Sequence, residues 1–217
     1  MTVVLGVDGC QGAWVAARVG AHGSTVEVTW RHGRFAPVLD DAAEVVGVDI
    51  PVGLPATGPR RCDLDARAAL GAARSRVFLA PVAAAFAAPD QQAANVLLRG
   101  RGEAGVSAQT WGLRAAVLEV ADLADPRVHE VHPELGFVAM TGRVLARKKT
   151  ARGVGERVAA LAAWVDVSGA LAHAPDGVPV DDALDALVAA WTALRIAHGT
   201  ASTYPCDPAP GEPVIFA

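Results

Sequence analysis

The order of elements within the first 50 residues restricts the fold more than any other feature of this sequence. Three strand-like segments come first, the last two alternating between apolar and polar residues: 3–8, 13–19 and 25–31. Residues 20–23, Gly-Ala-His-Gly, predict a turn between the last two segments. A short helix from Pro37 to Glu44 then leads into a buried strand from Val45 to Ile50. A strand reached through a helix most simply lies parallel to the first strand. We therefore predict a mixed α/β sheet, with three antiparallel strands followed by parallel strands, flanked by helices.

The rest of the chain predicts helices and two further short strands. A helical insertion is expected at about 56–105, with a helical stretch at 63–72, and it has too few large apolar residues for a core of its own. The segments that follow are a helix at 107–123, a strand at 127–132, helices at 133–141, 153–164 and 180–198, and a small edge strand at 214–216. A chain of 217 residues is long enough for one well-buried domain, so we predict a single domain over residues 1–217.

The composition restricts the possible binding partners of the protein and its cellular compartment. Hydrophobic residues make up 52% of the chain and charged residues 19%, which argues against disorder. A formal charge of −4 argues against a broadly basic surface, so any contact with nucleic acid is expected in a local groove. The three cysteines, Cys10, Cys62 and Cys206, lack zinc spacing and are interpreted as reduced thiols. Because no apolar run reaches the roughly 20 residues of a membrane helix and no signal peptide is recognisable, we expect a cytoplasmic protein without a membrane partner.

Two acids stand at the ends of apolar strands. Asp8 closes the first strand, and Asp49 lies at the end of the strand from Val45 to Ile50. In a parallel pair these ends meet at one edge of the sheet, where α/β folds build their sites. A lone buried carboxylate there is costly and requires a cation, a cluster of donors or water. Either acid alone is equally well explained as the cap of a turn, but two at equivalent strand ends favour a functional site.

Further acids lie at the start of the last long helix, in the sequence DDALDA. Asp182 and Asp185 are three residues apart and therefore share one face of a helix. A structural role stays open, since Asp181 or Asp182 can serve as the N-cap and acids in a first turn favour the helix dipole. Asp185 lies a full turn further along beside alanines, and capping does not explain it.

The acids at the strand ends and on the helix make an all-oxygen set of ligands that suits Mg²⁺ or Mn²⁺: Asp8, Asp49, Asp182 and Asp185. Two such ions, about 3.5–4 Å apart, activate water and stabilise the leaving oxygen in phosphodiester hydrolysis. In this hypothesis Asp8 bridges the ions, Asp49 and Asp185 hold one each, and Asp182 completes the shell. All four residues are predicted to be metal ligands and catalytic residues.

The segment RVHEVHPE, residues 127–134, adds a candidate fifth acid. Glu130 and His132 alternate onto one side of a strand, and Glu134 falls in the first turn of the helix that Pro133 begins. We predict Glu130 as a catalytic acid or a substrate contact, with His132 either orienting it or filling a structural role. Glu134 is interpreted as an acid that favours a helix start.

Basic residues form two candidate substrate contacts. Lys148 and Lys149 are the only lysines of the chain and precede a predicted helix, in a loop that suits a phosphate group. A solvated run of charges without a ligand is the alternative. Arg61 and Arg67 can line the same groove or pair internally with neighbouring acids. We predict these four residues as substrate-binding.

Seven motifs, in the same order along nearly the whole chain, resemble those of the DUF429 family. They are GVDGCQGAWV at 6–15, VDIPVGLP at 48–55, RRCDLDARAALG at 60–71, SAQTW at 107–111, EVHPELGF at 130–137, RKKTARG at 147–153 and DDALDALVAAWTALR at 181–195. The resemblance implies a ribonuclease H-like fold and a nuclease activity, with Asp8 and Asp49 as the acids of the first and fourth strands. The last motif is also similar to the terminal DxxD helix of RuvC-type resolvases, which implies Asp182 and Asp185 in that role. The chain departs from the family pattern in GAWV at 12–15 and SRVF at 75–78.

Three functions are compatible with these residues. The first is a metal-dependent nuclease that binds nucleic acid in a local groove. The second is a phosphotransferase-like protein of the actin-like superfold that binds a nucleotide or a phosphorylated small molecule. Such proteins normally need two domains, which a homodimer of this chain would supply. The third is a non-catalytic binding module. The carboxylate cluster favours the first, and a test of metal binding separates it from the third.

Overall fold

The computed structural model describes residues 1–23 and 25–217. These residues divide into two compact units: the first comprises Met1–Ile50, Ala124–Thr203 and Ile215–Ala217, and the second comprises Pro51–Leu123 and Tyr204–Val214. The predicted helical insertion at about 56–105 falls within the second unit. The organisation of the chain as a single domain over residues 1–217 stays a prediction.

The first unit is built on a five-stranded mixed sheet. Its strands are β1 (Thr2–Cys10), β2 (Ala13–His22), β3 (Thr25–Gly33), β4 (Val45–Val48) and β5 (Val128–Glu130). They lie in the order β3-β2-β1-β4-β5, antiparallel across β1, β2 and β3, and parallel between β1 and β4 and between β4 and β5. This order confirms the predicted arrangement and the ribonuclease H-like fold class. Residues 20–22, which were predicted to form part of a turn, belong instead to β2, because its pairing with β3 extends to His22 and Thr25.

Ten α-helices occur in the described part of the chain: α1 (Phe35–Val38), α2 (Arg61–Leu70), α3 (Ala83–Ala87), α4 (Gln91–Gly100), α5 (Ala108–Gly112), α6 (Arg114–Leu123), α7 (Pro133–Thr141), α8 (Ala151–Leu161), α9 (Val167–Ala172) and α10 (Val180–Ala197). A 3₁₀ helix, Gly71–Arg76, follows α2, and two short strands pair with each other, β6 (Thr203–Tyr204) and β7 (Ile215–Phe216). Within the residues that the structure describes, no helix has both the length and the apolar character that a membrane span requires.

The helices whose bounds agree best with the sequence prediction are α7 and α10. Helix α7 has the predicted bounds, and α10 ends one residue before its predicted end. The helix predicted at 37–44 stops at Val38, and Asp40 then accepts the backbone N–H of Ala42 in a turn that replaces the helix. The helix predicted at 107–123 is divided into α5 and α6, and α9 was not predicted because six residues show little periodicity.

Helix α10 lies directly on the sheet because two glycines leave room for its backbone. A Cβ atom on Gly6 of β1 would lie 2.0 Å from the backbone nitrogen of Ala190, and one on Gly47 of β4 would lie 2.9 Å from the carbonyl oxygen of Ala189. Side chains two residues apart on a strand share a face. Asp8 and Asp49, two residues after these glycines, therefore occupy positions on the face of the sheet that α10 covers.

The second unit contains α2 to α6 and has a small core of its own. Buried residues from three segments of this unit pack together: Val82, Ala85, Ala88, Ala94, Leu98 and Val106. The expectation that the insertion lacks a core is therefore wrong, because alanines placed close together on short helices suffice for a small one. A buried salt bridge joins Arg60 and Asp63 at 2.5 Å, and Asp63 also accepts the backbone N–H of Ala80 at 2.9 Å.

Candidate active site

Asp8 and Asp49 lie side by side at the carboxyl ends of two parallel strands. The register pairs Val7 of β1 with Val48 of β4, so the acid that follows each valine falls at the same level. The backbone N–H of Asp49 continues the ladder by donating to the carbonyl of Val7 at 3.0 Å. The Asp8 side chain is buried, and its Oδ1 accepts the backbone N–H of Gly9 at 2.8 Å. The strand ends thus meet at one edge, as predicted.

Helix α10 contributes the other two acids. Its N-cap is Pro179, so neither Asp181 nor Asp182 caps the helix, and both lie in its first turn. Asp185 follows one turn later and is only 2% exposed. Its Oδ2 accepts a hydrogen bond from Lys148 Nζ at 2.5 Å, while its Oδ1 is buried without a hydrogen-bond partner. A buried carboxylate oxygen without a donor is costly, which makes this atom a point where a cation would be favourable.

The four acids are close enough to change one another's protonation. Burial raises the pKa of Asp8 well above its usual value, and repulsion from Asp49, Asp185 and Asp182 raises it further. Lys148 acts in the opposite sense on Asp8 but does not cancel the shift. The structure therefore brings together the carboxylates of two strand ends and one helix, which are distant in the sequence.

Two of these acids have pKa values near neutrality. Burial raises the pKa of Asp49 to about 7 against the attraction of Lys148, and Glu134 and Asp182 add repulsion. Burial likewise raises the pKa of Asp185 to about 7, although Lys148 attracts and hydrogen-bonds its carboxylate. The pKa of Asp182 is raised by its partial burial and by Asp181. Asp49 and Asp185 are therefore only partly ionised at neutral pH, because the attraction of one lysine does not offset their burial.

Lys148 is held at the cluster by the loop before α8. Burial lowers its pKa, but Asp185, Asp8 and Asp49 outweigh that effect and keep the ammonium charged. The preceding loop is anchored, because Arg157 Nη1 donates to the carbonyl of Ala146 at 2.8 Å. The exposed Lys149 lies farther out, and its charge lowers the pKa of Asp182.

The sequence analysis did not assign Cys10 to the carboxylate cluster, although its thiol lies beside Asp182. Cys10, interpreted as an incidental thiol, is buried at the end of β1 close enough to Asp182 for the two groups to interact. Burial, followed by the charge of Asp182, raises the pKa of this thiol to about 11, so the group is neutral and acts as a donor. The signal was available, since Cys10 lies two residues after Asp8 on one strand and so shares its face.

The acids of β5 and α7 are placed differently from one another. Glu130 pairs in register with Val48, which puts it on the opposite face of the sheet from Asp8 and Asp49. Glu130 is buried, and His132 occupies the N-cap position of α7. Glu134 begins α7 as expected, but it is buried and accepts a hydrogen bond from Arg157 Nη2 at 2.5 Å.

Glu134 also acts on the cluster, because its charge raises the pKa of Asp49. Glu134, interpreted from the sequence as a helix-start acid, therefore interacts electrostatically with the candidate site. Arg157, which no motif singled out, is its ion-pair partner and is fully buried.

The two arginines predicted to bind substrate belong to the second unit. Arg61 is paired with acids of its own unit, with Asp207, with Glu212 at 3.6 Å and with Asp65 at 3.8 Å. Arg67 donates from Nε to the carbonyl of Arg74 at 3.2 Å. The alternative of internal pairing therefore applies to Arg61.

In the metal-free protein we expect stability to fall as pH rises from about 4 to about 8. The pKa of Asp49 is about 7 in the folded state, against roughly 3.9 in an unfolded chain. The folded state thus binds more protons in this window and loses that advantage as pH rises through 7. Asp49→Asn should therefore be more stable than wild type at about pH 8, by on the order of 1–3 kcal/mol, and nearly equal to it at about pH 4.

Urea denaturation with EDTA at both pH values measures this difference. Asp176→Asn, which removes an exposed acid from the loop before α10, is the control and should show no such change. An equal effect of Asp49→Asn at both pH values would contradict a raised pKa.

As the side chains stand, no group of three or more His, Cys, Asp or Glu within residues 1–23 and 25–217 is arranged to hold a metal ion. The contact between Lys148 and Asp185 contributes to this, because an ammonium group occupies a carboxylate oxygen that a metal would use. The donor types nevertheless suit a hard dication, and the unpartnered Asp185 Oδ1 is an oxygen ligand without a competitor.

This chain is similar to two solved structures and to one described protein family. A solved structure of T. thermophilus RuvC in complex with a Holliday junction substrate is 13% identical and has a TM-score of 0.41, covering 92% of this chain and 98% of that chain. A second Thermus thermophilus RuvC structure is 16% identical, with a TM-score of 0.39 and the same coverage of 92% and 98%. Among curated proteins, none matches this sequence. The family described as "Protein of unknown function (DUF429)" matches residues 6–210. The chain belongs to the DUF429 family.

Proposed function

We propose that this protein is a divalent-metal-dependent nuclease that hydrolyses phosphodiester bonds at its carboxylate cluster. One observation supports this more than any other. Asp8 and Asp185 are buried and Asp49 is half-buried beside Asp182, with one ammonium group among them and one buried carboxylate oxygen unpartnered. Full ionisation of such a cluster is unfavourable in the protein alone and becomes favourable when a dication binds.

The residues fit Mg²⁺ or Mn²⁺ by donor chemistry. Both ions prefer carboxylate oxygens, and the cluster offers four carboxylates from three elements: Asp8, Asp49, Asp182 and Asp185. These are the residues that would hold the metal, and Asp185 would exchange its contact with Lys148 for it. When bound, such a metal polarises the phosphate and lowers the pKa of a water molecule.

The remaining residues orient the cluster and its substrate. Lys148, once released from Asp185, and Lys149 present ammonium groups that can bind phosphate oxygens at the mouth of the site. The neutral Cys10 thiol lies beside Asp182 and can donate to its carboxylate. Glu130 is not assigned a catalytic role in this proposal, because its register position faces away from Asp8 and Asp49.

The proposal is tested with the full chain after removal of metals by EDTA. We expect added Mg²⁺ or Mn²⁺ to raise the melting temperature by about 5–10 °C at a hundredfold excess over the dissociation constant, because a ligand that binds only the folded state stabilises it. We also expect metal-dependent cleavage within a panel of single-stranded, double-stranded and branched DNA and RNA.

The matched control is Asp176→Asn, which should respond to metal like wild type. A melting temperature that neither ion changes, together with no cleavage of any substrate in the panel, would contradict the proposal. Metal stabilisation without cleavage would instead favour a metal-dependent binding protein over a nuclease.

A further inference from the structure

A pocket of about 590 Å³ lies within the second unit, and none of the acids of the proposed nuclease site lines it. Its walls come from segments separated along the chain, including Gly58 and Pro59, residues 78–82 and residues 102–107. Parts of the motifs RRCDLDARAALG, SRVF and SAQTW line it. The carboxylate cluster uses none of these motifs, so they require a separate explanation.

Part of the pocket lining is apolar and belongs to the core of the second unit. Val82 and Leu98 line it, are almost fully buried, and belong to the small core of the second unit. Phe78 and Leu79 extend the same wall. Volumes of a few hundred Å³ with a largely apolar lining are typical of sites for small organic molecules. The wall can therefore hold an apolar group of a ligand.

Arg67 supplies the charge of the pocket. Its Nε donates to the carbonyl of Arg74 at 3.2 Å, which fixes the plane of the guanidinium group. Among the residues of the described ranges it forms no salt bridge, whereas Arg60 and Arg61, from the same motif, are paired with Asp63 and Asp207. A fixed guanidinium group with free Nη donors suits an oxyanion, which it binds with two parallel hydrogen bonds.

Other polar groups of the pocket lining affect where that oxyanion can bind. Ser75 and Thr110 carry hydroxyl groups at the pocket lining. Glu103 also lines the pocket and is not paired with Arg67, so its carboxylate repels an anion from its own side. A bound anionic group is thus favoured beside Arg67, and the apolar part of the ligand beside Val82 and Leu98.

We propose that this pocket binds a small organic molecule that carries a phosphate or carboxylate group on an apolar body. The proposal is independent of the metal cluster and does not require nuclease activity. Phenyl phosphate, benzoate, inorganic phosphate and benzyl alcohol are suitable probes. The first two separate phosphate from carboxylate as the preferred group, and the last two carry only the charge or only the apolar part.

The test is an NMR titration of the full chain in EDTA, in which dissociation constants are measured from the shifts of backbone amides. We expect phenyl phosphate or benzoate to bind more tightly than both single-feature probes, with shifts at residues 78–82 and 102–107.

Arg67→Gln should weaken anion binding at least about tenfold, because a charge-assisted hydrogen bond is lost. Glu103→Gln should strengthen it, because a like charge is removed. Arg99→Gln, an exposed arginine outside the pocket lining, should leave it unchanged.

Opposite effects of Arg67→Gln and Glu103→Gln on one anion, with wild-type spectra for both variants, support the site. The proposal is overturned if neither aromatic anion binds, if Arg67→Gln and Arg99→Gln weaken binding equally, or if benzyl alcohol binds as tightly as the anions. Preserved binding of benzyl alcohol by Arg67→Gln would show that the variant is folded and has lost only the anion contact.

Discussion

Asp8→Asn is expected to abolish metal-dependent cleavage, with a loss of about 10³-fold or more, while the metal-free protein becomes no less stable than wild type. Asparagine has nearly the same shape as aspartate but carries no charge, so it is a poor ligand for a dication. In the metal-free protein the same substitution removes a buried carboxylate whose pKa is raised by burial and by Asp49, Asp185 and Asp182. Activity and stability should therefore move in opposite directions.

Three measurements check this prediction. Cleavage of a nucleic acid in the presence of Mn²⁺ should be lost, the rise in melting temperature with Mn²⁺ should shrink, and the melting temperature in EDTA should be equal or higher. Asp176→Asn keeps the same change of residue type on an exposed loop and should behave as wild type in all three. Persistent Mn²⁺-dependent cleavage by Asp8→Asn would exclude Asp8 from the catalytic centre.

The sheet and the positions of the acids were predictable because the signals are local. Alternating residues in β2 and β3, and apolar runs that end in Asp8 and Asp49, define the strands without reference to the rest of the chain. Parallel pairing of β1 with β4 then follows from the helix between them, and it places both acids at one edge. Asp185 was predictable for a similar reason, since capping does not require an acid one turn into a helix.

The contacts that complete the site were not predictable, because they join residues whose sequence patterns point elsewhere. The charge run around Lys148 predicts a phosphate-binding loop, with a solvated loop as the alternative, yet its ammonium group contacts Asp185, 37 residues away. Glu130 followed the alternation of β5 correctly, but the register with β4, which decides its face, is a property of the sheet.

Arg157→Met is expected to cost about 3–5 kcal/mol of stability, the largest effect of a single substitution that we predict outside the cluster. Arg157 is fully buried in α8 and its guanidinium group binds three oxygens: Glu134 Oε1 at 2.5 Å, the carbonyl of Ala146 at 2.8 Å and the carbonyl of Gly153 at 3.0 Å. It also lies over the ring of Phe137 at 5.1 Å. Methionine fills much of the volume but leaves Glu134 buried without its guanidinium partner.

The double variant Arg157→Met/Glu134→Leu separates the charge from the packing. Replacing both members of a buried pair by apolar residues is often neutral, so the double variant should recover much of the loss that Arg157→Met causes. Arg152→Met, in the same helix with its side chain 79% exposed, should change stability little. Urea denaturation measures all three differences, and an Arg157→Met variant as stable as Arg152→Met would contradict the argument. Because Arg157 also binds the loop that carries Lys148, Arg157→Met should displace the ammonium group that the proposed function assigns to phosphate binding. The double variant restores the core without restoring that anchor. Stability should then recover in the double variant while cleavage stays impaired.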